Sequence, residues 1–145
     1  MNVIAPALGA ILCVFAAGQA GAETLSAAMA LATPTGPGAS VGTVTVADTP
    51  RGVELTVDLH GLPPGEHGFH IHQNPSCDPA TAADGKVTPA GAAGGIVDPA
   101  GAKMHMGPMG AGHLGDLPRV TVATDGTVTA TLAAPPARTT KQLGS

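Results

Sequence analysis

The 145-residue chain has no tryptophan or tyrosine, only two phenylalanines, and cysteine only at positions 13 and 77. It also lacks a basic cluster and a row of aromatic rings on which bases could stack, and its net charge is −4. These absences argue against a nucleic-acid partner. Charged residues make up only 11% of the chain. Two cysteines cannot build the disulfide framework that often stabilises a small exported domain.

The amino-terminal segment is apolar and short. Residues 3–17 carry no charge, and the stretch Ala20-Gly21-Ala22 precedes Glu23. This layout is typical of a secretory signal peptide with an A-x-A cleavage site, although Met1-Asn2 lacks a basic side chain. A membrane anchor is the alternative, but the run is shorter than the ~20 residues of a spanning helix. We expect a signal peptide over residues 1–22, one domain over residues 23–145, a periplasmic or secreted location, and no membrane contact after cleavage.

The predicted mature part has few side chains for a core. Of its 123 residues, 22 are Val, Leu, Ile or Phe. Gly and Pro together make 35 of the 145 residues, close to the range that indicates disorder. Cys77 is the only cysteine after the predicted cleavage. A small exported domain with such a core usually depends on a disulfide or a metal ion.

Alternating apolar residues indicate β-strands, whereas helical periodicity is absent after the signal segment. Residues 41–46 and 53–59 each place apolar side chains on one face at period two. The intervening residues 48–52 have turn composition, so we predict a hairpin. Residues 25–31 suit a strand, and their alanines would also suit a helix.

The second half of the chain predicts a short strand, a long loop and another hairpin. The short strand covers residues 69–72. Residues 73–117 are dense in Gly, Pro, Ala and Asp, and so long a loop in a compact domain is usually functional or disordered. Residues 120–122 and 128–132 alternate on either side of an Asp-Gly turn, a strong hairpin signal. Short strands joined by turns predict an antiparallel sandwich or barrel.

Five of the six histidines lie between positions 67 and 113. His70 and His72 are two apart on a predicted strand, so both imidazoles project from one face and can chelate one ion. Imidazole suits copper and zinc. His105, His113 and Asp116 lie in the Gly-rich loop and can supply three ligands of a zinc site. We therefore predict that residues 67–116 bind a transition metal.

Methionines flank His105 at positions 104, 106 and 109. Thioether sulfur favours Cu(I), so these residues can form a copper-binding loop. The alternative is that flexible Met side chains cover the loop against the barrel. The second interpretation is the more common one for methionine, and the first stays open.

The strings around these residues resemble the copper/zinc superoxide dismutases, in particular the bacterial periplasmic branch. The resemblance extends over about residues 41–132, and it rests on GLPPGEHGFHIH (61–72), PSC (75–77), GG (94–95), DP (98–99), HMGP (105–108) and GHLGD (112–116). It implies a Greek-key β-barrel or sandwich. It also implies that the protein converts superoxide to hydrogen peroxide and oxygen.

Individual residues can be carried over from the family's pattern. The resemblance implies copper ligands at His70 and His72 and zinc ligands at His105, His113 and Asp116. Cys77 matches one half of the family's intrachain disulfide. His60 and His67 match no ligand, so we expect His60 on the surface and His67 in a polar turn, where it can support a ligand.

Departures from the family's pattern affect the copper half. Ile96 stands where the family has the histidine that bridges copper and zinc, and isoleucine neither ligates a metal nor titrates. The family's last copper histidine, second cysteine, final strands and arginine-bearing loop lie beyond Ser145, so we expect a C-terminally truncated barrel. The net charge of −4 does not attract superoxide, for which the family uses a local positive funnel.

Three functional hypotheses follow. The chain is a copper/zinc superoxide dismutase with superoxide as its substrate, although with impaired or lost activity. Alternatively, it is a non-catalytic periplasmic module that binds zinc or copper, or an inactive truncated remnant. The remnant hypothesis rests on open strand edges and on the loss of a disulfide that typically contributes ~2–5 kcal/mol. A homodimer or a completing partner chain stays open.

Overall fold

The computed structural model describes residues 24–134, so the signal peptide predicted over residues 1–22 lies outside it. In chain order the elements are β1 (Thr24–Thr33), β2 (Gly36–Thr49), β3 (Gly52–Leu59), β4 (Gly65–His67), β5 (Ala80–Thr81), β6 (Val87–Thr88), a 3₁₀ turn (Gly91–Ala93), β7 (Val120–Val122) and β8 (Val128–Ala134). Among these residues there is no α-helix, and no helix long and apolar enough to cross a membrane. The fold is therefore all-β, as the alternating pattern predicts.

The main sheet has four antiparallel strands in the order β1-β2-β3-β8. The hairpin predicted from residues 41–59 is confirmed, because β2 and β3 pair from Gly42↔Leu59 to Thr49↔Gly52. The Ala-rich residues 25–31 form a strand and not a helix, since they lie within β1 and pair with β2. Gly42 has φ +120°, and a Cβ there would lie 2.1 Å from the Asp58 carbonyl oxygen, so this close approach of backbones requires glycine.

A second, smaller layer closes over one face of this sheet. Strand β4 pairs with β7, and buried Leu117, Val120 and Val122 belong to the same apolar cluster as the inward side chains of β3. Along β3 every second residue is buried, and Leu55 and Val57 are 1% and 0% exposed. Burying a side chain of this size stabilises the fold by about 1.5–3 kcal/mol. The thin supply of apolar residues is thus concentrated between the two layers.

Two predicted elements differ from the observed ones. The Asp-Gly turn is closed by Ala123 N–H donating to Thr127 O at 2.8 Å, but β7 pairs with β4 and β8 with β3. The predicted second hairpin is therefore wrong in its pairing, because its two strands join different sheets. The short strand predicted over residues 69–72 is also wrong: the strand lies at Gly65–His67, and His70 and His72 make single isolated bridges.

The long loop predicted over residues 73–117 is largely confirmed. It contains only the two-residue strands β5 and β6 and one 3₁₀ turn. The loop returns to the second layer at Gly115, whose carbonyl accepts the N–H of Ile71 at 2.9 Å. This return brings the histidines of the loop to those that precede it.

Candidate metal centre

Backbone hydrogen bonds join three irregular segments next to the candidate centre. The N–H of Val97 donates to Ile71 O, and the N–H of Gly115 donates to Val97 O, both at 2.9 Å. The N–H of Leu117 donates to Phe69 O at 3.1 Å. These bonds fix residues 69–71, 97 and 115–117 relative to one another, so side chains far apart in sequence converge.

Glycine at position 115 makes this convergence possible. A Cβ on Gly115 would lie 2.4 Å from the carbonyl oxygen of Ile71 and 2.8 Å from Cγ2 of Ile96. Such separations are far below van der Waals contact, so any larger residue would force the segments apart. Gly115 thereby sets the position of its neighbour Asp116.

Asp116 is the anionic centre of the site. Its side chain is 2% exposed, and its backbone forms an antiparallel bridge with His70. Oδ1 accepts a hydrogen bond from His105 Nδ1 at 3.0 Å, and Oδ2 accepts one from the N–H of Met106 at 3.3 Å. Burial opposes the charge of Asp116, but the hydrogen bonds from His105 and Met106 outweigh it and hold its pKa below the usual value. The carboxylate is therefore charged at neutral pH.

Three imidazoles surround one oxygen of this carboxylate. The Nδ1 atoms of His70, His105 and His113 lie 3.4, 3.0 and 3.4 Å from Asp116 Oδ1. The ring of His105 lies 5.1 Å from the ring of His70 and 4.7 Å from that of His113. We call these four residues the imidazole–carboxylate cluster.

His70 is adapted to be neutral in this position. Burial lowers its pKa below the ordinary 6.5, against the attraction of Asp116, and neighbouring His105 and His72 lower the pKa further. Its Nδ1 atom is buried and makes no hydrogen bond, although it faces Asp116 Oδ1. A neutral imidazole with a buried ring nitrogen is the form that ligates metals.

The loop that carries His105 and His113 is closed by its own backbone and by Asp98. The N–H of His113 donates to Met104 O at 3.1 Å. Both oxygens of Asp98 accept backbone N–H groups, from Ala102 and Lys103, each at 2.9 Å. The N–H groups of Lys103 and Ala102 lower the pKa of Asp98. Asp98 lies in the quoted DP string, but sequence reasoning assigned it no role, because a loop tether of this kind has no signal of its own.

His72 is separate from the cluster. Its Nδ1 hydrogen-bonds to the carbonyl oxygen of Gly94 at 2.9 Å, and the side chain is exposed. Its backbone forms an antiparallel bridge with Ile96, which is half-buried. Ile96, at the position of the family's bridging histidine, therefore lies beside His72 and offers no ligand atom.

An open cavity of about 700 Å³ gives access to the cluster. His70, His105 and Asp116 line it, together with Arg119 at its margin. Arg119 is paired with Glu66 at 2.9 Å, and both side chains are largely exposed. The cationic group that lines this opening is thus partly neutralised by its partner.

The donor set fits a transition metal. One ligand atom each from His70, His105 and Asp116 lie within 4.8 Å of one another, and His113 contacts the same carboxylate oxygen. Imidazole nitrogen and carboxylate oxygen are ligands of zinc and copper. The structure therefore brings together four of the five predicted ligands and leaves His72 outside the group.

The cluster does not include the side chains of the other residues singled out from the sequence. His60 is exposed, as expected. His67 is in β4, not in a turn, and its Nε2 pairs with Pro63 O at 2.7 Å. Cys77 is a free, exposed thiol in the described part of the chain. Met104, Met106 and Met109 are 54%, 55% and 75% exposed, so both interpretations of the methionines stay predictions.

The fold and the donor set are those of an all-β protein with a histidine- and aspartate-lined metal centre. Residues 40–144 match the family model described as copper/zinc superoxide dismutase. The chain belongs to the copper/zinc superoxide dismutase family.

Similar proteins agree in sequence and in structure. The superoxide dismutase [Cu-Zn] of Brucella abortus biovar 1 (strain 9-941) is 49% identical over 114 residues, which are 79% of this chain and 65% of that protein. The superoxide dismutase [Cu-Zn] of Escherichia coli (strain K12) is 47% identical over 126 residues, or 87% of this chain and 72% of that protein. The solved Cu/Zn superoxide dismutase from Brucella abortus superimposes with a TM-score of 0.79 at 46% identity, covering 83% of this chain and 78% of that one. The chain thus spans somewhat less than two thirds of the length of its Brucella relative.

Proposed function

We propose that this chain is a zinc-binding member of the family with little dismutase activity on its own. One observation carries the proposal: the Nδ1 atoms of His105 and His113 lie 3.0 and 3.4 Å from Oδ1 of the buried Asp116. This is the donor set that zinc accepts. The relatives named above as Cu-Zn enzymes support the choice of metal.

The residues prepare the centre before any ion binds. Asp116 supplies a full negative charge, since hydrogen bonds keep its pKa low in spite of burial. His105 presents Nδ1 toward that charge and gives up the Nδ1 proton when the nitrogen becomes a ligand. When bound, zinc supplies the positive charge that a buried carboxylate needs, together with folding free energy. The loop 98–116 is then tied to the second layer.

Superoxide dismutation is the second candidate function. It is favoured by His70 and His72, which match the family's copper ligands, and by the open cavity that His70 lines. Against it, His72 Nδ1 is hydrogen-bonded to Gly94 O, and Ile96 lies where a bridging imidazole would be needed. Arg119, which could attract the anion, is paired with Glu66. For the chain without a partner, we therefore favour zinc binding over superoxide dismutation as the function.

Export is part of the proposal. The apolar residues 3–17 and the Ala20-Gly21-Ala22 string support a signal peptide over residues 1–22 and a domain over residues 23–145, located in the periplasm or outside the cell. Cys77 is exposed and would be available for pairing in such a compartment. Mass spectrometry of the chain recovered from a periplasmic extract should give an amino terminus at Glu23; an intact Met1 would contradict export.

The test of function uses the exported chain purified without chelator. Its zinc and copper contents are measured, and superoxide removal is assayed before and after addition of copper. We expect about one zinc per chain and superoxide removal far below that of the Brucella relative assayed in parallel. Absence of bound zinc after reconstitution would overturn the zinc proposal. Superoxide removal equal to that of the relative would make dismutation the function.

A further inference from the structure

Three methionines of the long loop are not packed into the fold. Met104, Met106 and Met109 all lie in residues 104–109, and each is more than half exposed. Met29, the other methionine of the described residues, is instead half-buried and packs against the apolar cluster between the layers. Single exposed apolar side chains are ordinary, but a group of them in one short segment commonly marks an interaction site.

Backbone hydrogen bonds hold this segment in a compact loop. The carbonyl oxygen of Met104 accepts the N–H of His113 at 3.1 Å, and the N–H of Met106 donates to Asp116 Oδ2 at 3.3 Å. A Cβ on Gly112 would lie 2.6 Å from both Met104 O and Met106 N, so only glycine fits where the loop approaches itself. The backbone that carries these methionines is therefore held in place by the rest of the loop.

The three sulfur atoms can reach a single ion. Because a chain spans at most about 3.6 Å per residue, the Cα atoms of Met104 and Met106 are at most about 7 Å apart, and those of Met106 and Met109 at most about 11 Å. The turn over residues 107–110, in which the N–H of Gly110 donates to Gly107 O at 3.2 Å, shortens the second separation. Methionine has three rotatable bonds, and exposed side chains change rotamer readily. The thioethers can therefore converge without movement of the backbone.

The methionine segment lies at the margin of the open cavity. Residues 107–108 line this cavity together with His70 and Asp116, and the methionines flank these two residues in the sequence. Thioether sulfur is a soft donor that favours Cu(I), whereas the imidazole and carboxylate donors of the cluster suit zinc. The two sets of donors therefore select different ions.

We propose that Met104, Met106 and Met109 form a Cu(I) site with three thioether ligands at the margin of the cavity, separate from the imidazole–carboxylate cluster. Cu(I) binds there without a change of oxidation state and without release of a proton, because a thioether carries none. The site does not depend on the proposed zinc binding, since no thioether belongs to that cluster. Copper is thereby held by sulfur atoms and not by His70 or His72.

The direct test needs no variant. Carbon NMR of the chain labelled with ¹³C in the methionine methyl groups is recorded after one equivalent of zinc has been added, and again during anaerobic titration with Cu(I). We expect the methyl resonances of Met104, Met106 and Met109 to move together and to stop moving at one equivalent, while that of Met29 keeps its position. Movement of fewer than three of these resonances would overturn the three-thioether site. Movement of imidazole resonances alone would place Cu(I) on histidine and overturn it as well.

Variants give an independent measure. Leucine has nearly the volume of methionine but no sulfur, so Met104→Leu, Met106→Leu and Met109→Leu are combined in one chain, and Met29→Leu is the matched control. Loss of partners outside the ligand shell alone commonly reduces metal affinity about 10–100-fold, and loss of three ligands should reduce the Cu(I) affinity at least as much. Competition with a coloured Cu(I) chelator measures it. Met29→Leu should stay within twofold of wild type, and both variants should keep the zinc content of wild type. An unchanged Cu(I) affinity in the folded triple variant, or an equal loss in Met29→Leu, would overturn the proposal.

Discussion

Nδ1 of His105 donates a hydrogen bond to Oδ1 of Asp116 at 3.0 Å, and it joins a side chain that is 60% exposed to one that is 2% exposed. The two residues are eleven positions apart in the long loop, where His105 is exposed and Asp116 is buried. A metal ion bound by His105 and Asp116 would therefore link the exposed part of the loop to its buried part. Zinc bound here should stabilise the fold as well as the site.

Zinc should raise the resistance of the chain to unfolding. A ligand that binds only the folded state adds about 2.7 kcal/mol when its free concentration is 100 times its Kd. We expect the urea midpoint to rise on addition of zinc and to fall again with a chelator. Magnesium at the same concentration is the control, since it disfavours imidazole ligands. An unchanged midpoint would contradict the coupling.

The core between the layers is small, so single truncations there should be severe. Leu55 is 1% exposed, and Leu→Ala at such a site costs about 2–5 kcal/mol, a large share of a typical total of about 5–15 kcal/mol. Leu31→Ala is the matched control, because Leu31 is 41% exposed and should cost about 0.5 kcal/mol or less. Urea unfolding of the two variants measures both values. Similar losses would show that β1 is covered in solution.

Gly115 should be essential for the geometry of the centre. A methyl group there would lie 2.4 Å from Ile71 O, so Gly115→Ala should separate the segments and cost about 1–3 kcal/mol. The displaced Asp116 should also weaken zinc binding. Gly95→Ala is the control, because its Cβ would come no closer than 3.6 Å to Gln73 Oε1. Zinc titration measures the affinity of both variants. Equal zinc affinities of Gly115→Ala and Gly95→Ala would contradict the role of close packing at Gly115.

Much of the fold could be predicted from residue patterns. The alternation in residues 41–46 and 53–59 gives β2 and β3, since a half-buried strand has that period. The pairing of β7 with β4 and of β8 with β3 could not be predicted, because the Asp-Gly turn specifies a reversal of direction and not which sheet each strand joins. Strand choice depends on contacts far apart in sequence.

The sequence likewise predicts part of the candidate site but not all of it. Residue types and the family resemblance identify His105, His113 and Asp116 without coordinates. The spacing of His70 and His72 predicts one shared ion, but in the structure His70 faces Asp116 and His72 pairs with Gly94 O. That difference follows from the backbone bridges at residues 70 and 72, which are not encoded in the two-residue spacing.

Acid should weaken the loop through Asp98. Its pKa lies below the ordinary 3.8 because the N–H groups of Lys103 and Ala102 donate to the carboxylate. A lowered folded-state pKa contributes stability that is fully present above pH 3.8 and is lost as the pH falls through the lower value. Asp98→Asn, which keeps only one acceptor, should flatten the fall in the urea midpoint of the metal-free chain below about pH 4. A fall as steep as that of wild type would contradict this role.

Restoring an imidazole at position 96 should improve copper binding. Residue 96 is paired with His72 across an antiparallel bridge, and paired residues project from the same face. Ile96→His therefore adds a ligand beside His72, and we expect tighter Cu(II) binding and more superoxide removal. Val97→His is the control, since its side chain projects from the other face. Equal copper affinity in both variants would show that the bridge does not set the geometry.

The zinc content of Asp116→Asn tests the central claim most directly. The substitution keeps the size of the buried side chain but removes the charge that three Nδ1 atoms face. Asp125→Asn is the matched control, because Asp125 accepts hydrogen bonds from its turn neighbour Thr127 and is not part of the cluster. We predict one zinc per chain for wild type and for Asp125→Asn, and an affinity reduced by more than about 100-fold for Asp116→Asn. One tightly held zinc in folded Asp116→Asn would contradict the account.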